Sequence, residues 1–100
     1  MIKHIVFWKL KSEADGRSAQ ENAALMIAKL NGLKALVPQV VEIEAGADFN
    51  RSEAAWDVAL YTSFASRADL DAYQVHPEHL KVVEFVRAVV ASRCVVDYEV

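Results

Sequence analysis

Ile2, His4, Val6, Trp8 and Leu10 alternate with Lys3, Ile5, Phe7 and Lys9 along the first ten residues. Period-two spacing with β-branched and aromatic residues predicts a strand. Large apolar groups stand in both sets, so both faces of that strand are expected to be covered. Ser18 and Glu21 then have the spacing of a capping box. Behind them Met26, Leu30, Leu33 and Val37 follow helical spacing, flanked by Ala23 and Ile27. Pro38 stops this helix because it cannot extend the hydrogen-bond ladder, and Gly32 predicts an early end. Val40 to Ala45 reads as a second strand closed by Gly46, and Asp48 to Ala55 as a polar loop. In a third strand Trp56, Val58, Leu60, Thr62 and Phe64 alternate with Asp57, Ala59, Tyr61 and Ser63. Strands two and three are expected to be antiparallel neighbours.

Ser66 and Asp69 mark the next helix, with Leu70 and Tyr73 on its apolar face. It breaks at Val75-His76-Pro77, since a residue before proline avoids helical angles. Pro77 suits the first position of a new helix, with His76 as its N-cap. His79, Val83, Val86 and Val90 form one stripe of that helix. Cys94, Val96, Tyr98 and Val100 finally alternate with Val95, Asp97 and Glu99 in a closing strand.

The order βαββαβ is the ferredoxin-like arrangement, an α+β fold with helices on one face of a four-stranded antiparallel sheet. Ile5, Phe7, Ala59 and Tyr61, or their alternates, then lie on the face without helices. Leaving four or five such side chains in water forgoes roughly 1.5–3 kcal/mol each. That is a large fraction of a total stability of about 5–15 kcal/mol. A twofold homodimer through this sheet face, a dimeric α/β barrel, removes the difficulty.

Composition narrows the setting. One hundred residues predict a single domain over residues 1–100. The net charge of −3 arises without a basic run, so no nucleic-acid partner is expected. No apolar stretch approaches the roughly 20 residues of a membrane span, and no signal peptide is recognisable. Cys94 is the single cysteine, which excludes an internal disulfide and fits a reducing, cytoplasmic setting. It reads as a small core residue, and Trp8 and Trp56 likewise read as core. No Gly-rich phosphate loop or nucleophile elbow is present, and no cofactor is implied.

Three stretches carry a resemblance. They are Lys3-His4-Ile5-Val6-Phe7-Trp8, Tyr73-Gln74-Val75-His76-Pro77-Glu78-His79-Leu80, and Val96-Asp97-Tyr98, with Pro38 and Gly46 also in place. In this order and spacing the chain resembles the stress-responsive A/B barrel domain family. The resemblance implies a ferredoxin-like subunit whose sheet packs against its twin's. Relatives include stress-induced plant proteins, bacterial domains of unknown role and a plant polyketide cyclase. The wider superfamily contains cofactor-independent monooxygenases and haem-degrading enzymes, so fold alone does not select an activity.

By position in the cyclase motif, the resemblance implies His79 as acid/base, Asp97 holding it, Tyr73 assisting and His4 lining the pocket. An imidazole can take a proton from a carbon beside a carbonyl. Asp97 would fix its tautomer, and Tyr73 could donate a hydrogen bond to the developing enolate oxygen. Val6, Trp8, Met26, Val58 and Leu60 are the expected apolar walls around a small hydrophobic ligand. The chain departs from the cyclase in having no tyrosine between Ser18 and Val37. Structural roles compete for each histidine: a helix-end contact for His79, capping for His76, core packing for His4. His76 and His79 with His4 are also a possible chelating set, but Pro77 intervenes and no fourth ligand follows. Three functions therefore stand: a small-molecule binder or acid/base enzyme, a non-catalytic dimeric stress protein, and a cofactor-independent monooxygenase.

Overall fold

The computed structural model describes residues 1–100. Strand β1 (Ile2–Leu10) buries Ile2, His4, Val6, Trp8 and Leu10 and turns Lys3, Ile5, Phe7 and Lys9 the other way. A small hairpin follows, β2 (Glu13–Ala14) and β3 (Arg17–Ser18). Its turn residues Asp15 and Gly16 have φ of 53° and 74°, angles that an Asp-Gly pair tolerates. Helix α1 (Ala19–Leu36) starts at the complete Ser18–Glu21 capping box and buries Met26, Leu30 and Leu33. It runs four residues beyond Gly32, correcting the expected early end. The packing of Leu33 and Val37, both fully buried, outweighs the roughly 1 kcal/mol propensity cost of a glycine. Asn22 is buried beneath the small hairpin, donating to the Ala14 carbonyl and accepting from Arg17 Nε, each at 3.0 Å.

Strand β4 (Glu42–Ala47) begins two residues later than the periodicity predicts, and β5 covers Val58–Phe64. Helix α2 (Arg67–Val75) is capped by Ser66, and α3 (Pro77–Val89) by His76. Strand β6 (Val90–Glu99) follows α3 with no intervening residue, four residues earlier than expected.

The sheet order is β4-β5-β1-β6, every neighbouring pair antiparallel. With the helices on one face, this is the ferredoxin-like βαββαβ arrangement. Residues directly opposite on neighbouring strands share a face. Ile5 lies opposite Tyr61 and Val96, and Phe7 opposite Ala59 and Cys94. Those six side chains therefore form the face without helices. Cys94 is exposed there, correcting the expected core position. Strand alternation assigns it a face, but nothing in the chain covers that face. Trp56 also departs from the predicted core: β5 starts only at Val58, and the half-buried indole lies beneath the Lys9 ammonium, 5.0 Å from the ring centre. Trp8, 4% exposed, belongs to the core as expected. No helix is long and apolar enough to cross a membrane.

Candidate functional site

The helix-side faces of β1 and β5, together with α1, α2 and α3, enclose a cavity of about 330 Å³. Such a volume lies at the small end of the range for small-molecule sites, about 300–1,000 Å³. The alternation of β1 supplies His4, Val6 and Trp8 to its wall, and Leu60 extends the wall on β5. Helix α3 supplies His79, Val83 and Val86 from the stripe read in the sequence. Of the five expected apolar walls, Val6, Trp8 and Leu60 line this space. Met26 and Val58 do not, because they are consumed by close packing in the core.

His79 occupies the first turn of α3, where the chain reverses from α2 at His76-Pro77. Its Nδ1 lies 3.2 Å from the Gln74 carbonyl oxygen. A carbonyl only accepts, so Nδ1 carries the proton and donates, leaving the Nε2 lone pair without a protein partner. Burial holds the His79 imidazole below its ordinary pKa. The Gln74 contact opposes this shift, while the positive fields of His4, Arg93 and His76 reinforce it. His79 is consequently neutral at pH 7 and able to accept a proton.

Asp97 does not hold His79. Strand pairing sets His4 directly opposite Asp97, and His4 Nδ1 meets Asp97 Oδ1 at 2.5 Å. The expected His79–Asp97 pair is thus replaced by His4–Asp97, because the β1–β6 register places the carboxylate beside β1. His4 is only 3% exposed, whereas the Asp97 side chain at the sheet edge keeps 44%. Tyr73 joins the two imidazoles: its ring centre lies 4.2 Å from that of His79 and 6.3 Å from that of His4. Phe64 packs on the same ring at 5.0 Å. The Tyr73 hydroxyl is buried without a hydrogen-bond partner, and burial pushes its pKa above the ordinary phenol value. His76 is occupied by capping, its Nδ1 accepting from the Glu78 amide at 3.1 Å. No three His, Cys, Asp or Glu side chains converge as a metal-binding set.

Gln74, Arg87 and Arg93 also line the cavity, and the sequence pattern does not single them out. Arg87 stands eight residues beyond His79, on the same helical flank as Val83 and Val86. Arg93 has the same strand parity as Asp97. Both signals are present in the chain, but they lie outside the apolar positions and the histidines that mark the rest of the site.

Comparison with known proteins agrees with this fold. A curated relative, a stress-response A/B barrel domain-containing protein of Arabidopsis thaliana, is 35% identical over 85 residues, 84% of the chain. The chain spans only 30% of that relative's length. A crystal structure described as a dimeric protein of unknown function with a ferredoxin-like fold, from Bacteroides fragilis, is 30% identical. It superposes with a TM-score of 0.88 over 99% of this chain and 95% of that one. A hydroxynitrile lyase from Passiflora edulis is 26% identical, with a TM-score of 0.79 over 97% of this chain and 90% of the lyase. Residues 2–100 match the family model described as Stress Responsive A/B Barrel Domain, and the chain belongs to that family.

Proposed function

We propose that two copies of this chain join through their open sheet faces, and that each holds a small-molecule acid/base site between sheet and helices. His79 is the base, and the ligand is a hydrophobic carbonyl compound. The observation that carries this reading is His79 on the cavity wall, its Nδ1 tied to the Gln74 carbonyl and its Nε2 without a protein partner. In the step envisaged, Nε2 takes a proton from the carbon beside the carbonyl. The electron pair moves onto the carbonyl oxygen as an enolate, and reprotonation by the same imidazolium returns the base. His4, oriented by Asp97, forms a second fixed imidazole on the wall. The lyase among the similar structures supports small-molecule chemistry on this scaffold. The dimeric description of the Bacteroides relative supports the pairing of two copies. The lone cysteine supports a cytoplasmic setting.

His79→Gln tests the site. Deuterium exchange at the α-carbon of an apolar aryl ketone, followed by NMR, is expected to slow at least about a hundredfold. The unfolding midpoint should stay near that of the wild type. Substantial destabilisation with unchanged exchange would instead assign His79 to the fold.

The lowered pKa of His79 also makes stability depend on pH. The unfolded chain takes up this proton near the ordinary value of about 6.5, the folded chain only at lower pH. Stability is therefore complete above about 6.5 and falls as the pH drops towards the folded value. Denaturant titrations at about pH 5 and 7.5 are expected to show a larger acid loss for wild type than for H79Q. Equal losses would contradict the shift.

A further inference from the structure

The cavity lining combines eight hydrophobic residues among thirteen with two guanidinium groups, Arg87 and Arg93, and contains no carboxylate. Neither arginine takes part in any ion pair of the chain. Two unpaired cations of this kind beside an apolar space favour an anion, and the planar fork of a guanidinium matches a carboxylate. Their position is set twice over. Arg87 follows His79 by eight residues on α3, about 12 Å of helix rise. Arg93 lies opposite Trp8, which follows His4 by four residues on β1, about 13 Å of strand. Both walls thus carry one imidazole and one arginine, spaced along the backbone, and the Arg93 charge still reaches His79. Val6, Val83 and Val86 lie between them. Trp8 Nε1, buried and without a protein acceptor, adds a further donor on the β1 wall.

We propose that the site selects an apolar organic acid, its carboxylate held by Arg87 and Arg93 and its hydrocarbon lying along the cavity towards the histidines. This rests on the acid/base reading of the cavity and deepens it. The substrate class becomes an apolar oxo acid, with the reacting carbonyl at His79 and the carboxylate at the two arginines. The arginines are binding and positioning residues, not participants in proton transfer.

Isothermal titration of octanoate and of octanamide, matched in size and differing in charge, tests the assignment. The wild-type protein is expected to bind octanoate about tenfold or more tightly than octanamide, an advantage that shrinks as salt is raised. In the double variant Arg87→Gln/Arg93→Gln the advantage should vanish while octanamide binding persists. Both side chains are exposed and unpaired, so folding should survive, and thermal melting followed by circular dichroism checks this. Equal wild-type binding of the two compounds would overturn the carboxylate assignment and leave the His79 reading intact. Failure of both to bind would overturn it as well, and the exchange assay with H79Q would then decide separately whether His79 acts. Loss of octanamide binding along with octanoate in the double variant would show that the arginines shape the cavity without reading charge, which also overturns the proposal.

Discussion

Tyr73→Ala is expected to lower the unfolding free energy by about 3–5 kcal/mol, the range for deleting a buried aromatic side chain. The ring is fully buried and packs on Phe64, His79 and His4, so its removal opens a void where α2 meets the sheet. Tyr73→Phe should behave oppositely. Its hydroxyl is buried without a partner, and deleting an unsatisfied polar group leaves stability unchanged or raises it. Urea titration of both variants reads the difference. A Phe variant destabilised by more than about 1 kcal/mol would show that the hydroxyl has a hydrogen-bond partner in the folded chain. The same variant also reports on chemistry. Slower deuterium exchange at wild-type stability would mean that the hydroxyl donates to bound ligand, the role implied by the family motif.

Phe7→Asp is expected to turn a dimer into a folded monomer. Phe7 makes up part of the open face with Ile5, Tyr61 and Val96, and Val96 alone leaves 62% of its surface uncovered. A twofold interface uses each of these residues twice. Phe7 keeps 39% of its surface uncovered in the chain, so losing it from both copies forgoes about 1–2 kcal/mol by area. Burying two introduced carboxylates costs several more. Sedimentation equilibrium at micromolar concentration should find wild-type dimer and variant monomer, with similar circular dichroism spectra. A wild-type monomer, or a variant that still pairs, would remove the sheet face as the interface.

Much of this architecture is legible in the chain because local signals and tertiary packing agree. The alternation of β1 separates a helix-side set from an open set before any partner strand is known. The Ser18–Glu21 box and the His76-Pro77 step mark helix starts that the structure keeps. What escapes a linear reading depends on pairing and on volume. Motif position makes Asp97 the partner of His79, yet strand register delivers it to His4, and register is a property of two segments at once. Cys94 alternates correctly, but an edge strand's exposure depends on what lies across from it. Met26 and Val58 are as apolar as Val6 and Leu60. Only three-dimensional packing separates residues that fill the core from those that border its gap. The Asp15-Gly16 hairpin does carry a turn signal, but its strands are too short and polar to show any alternation.

The direct passage from α3 into β6 has a consequence for how this scaffold can vary. With no linker between helix and strand, one residue inserted between Val89 and Val90 must either slide β6 one step along β1, exchanging inside for outside, or be absorbed as a bulge at the junction. In the first case Arg93 and Asp97 would turn towards the face without helices, and Val96 and Tyr98 would turn inward. The reach and polarity of the cavity are therefore retuned most directly by exchanging side chains in place.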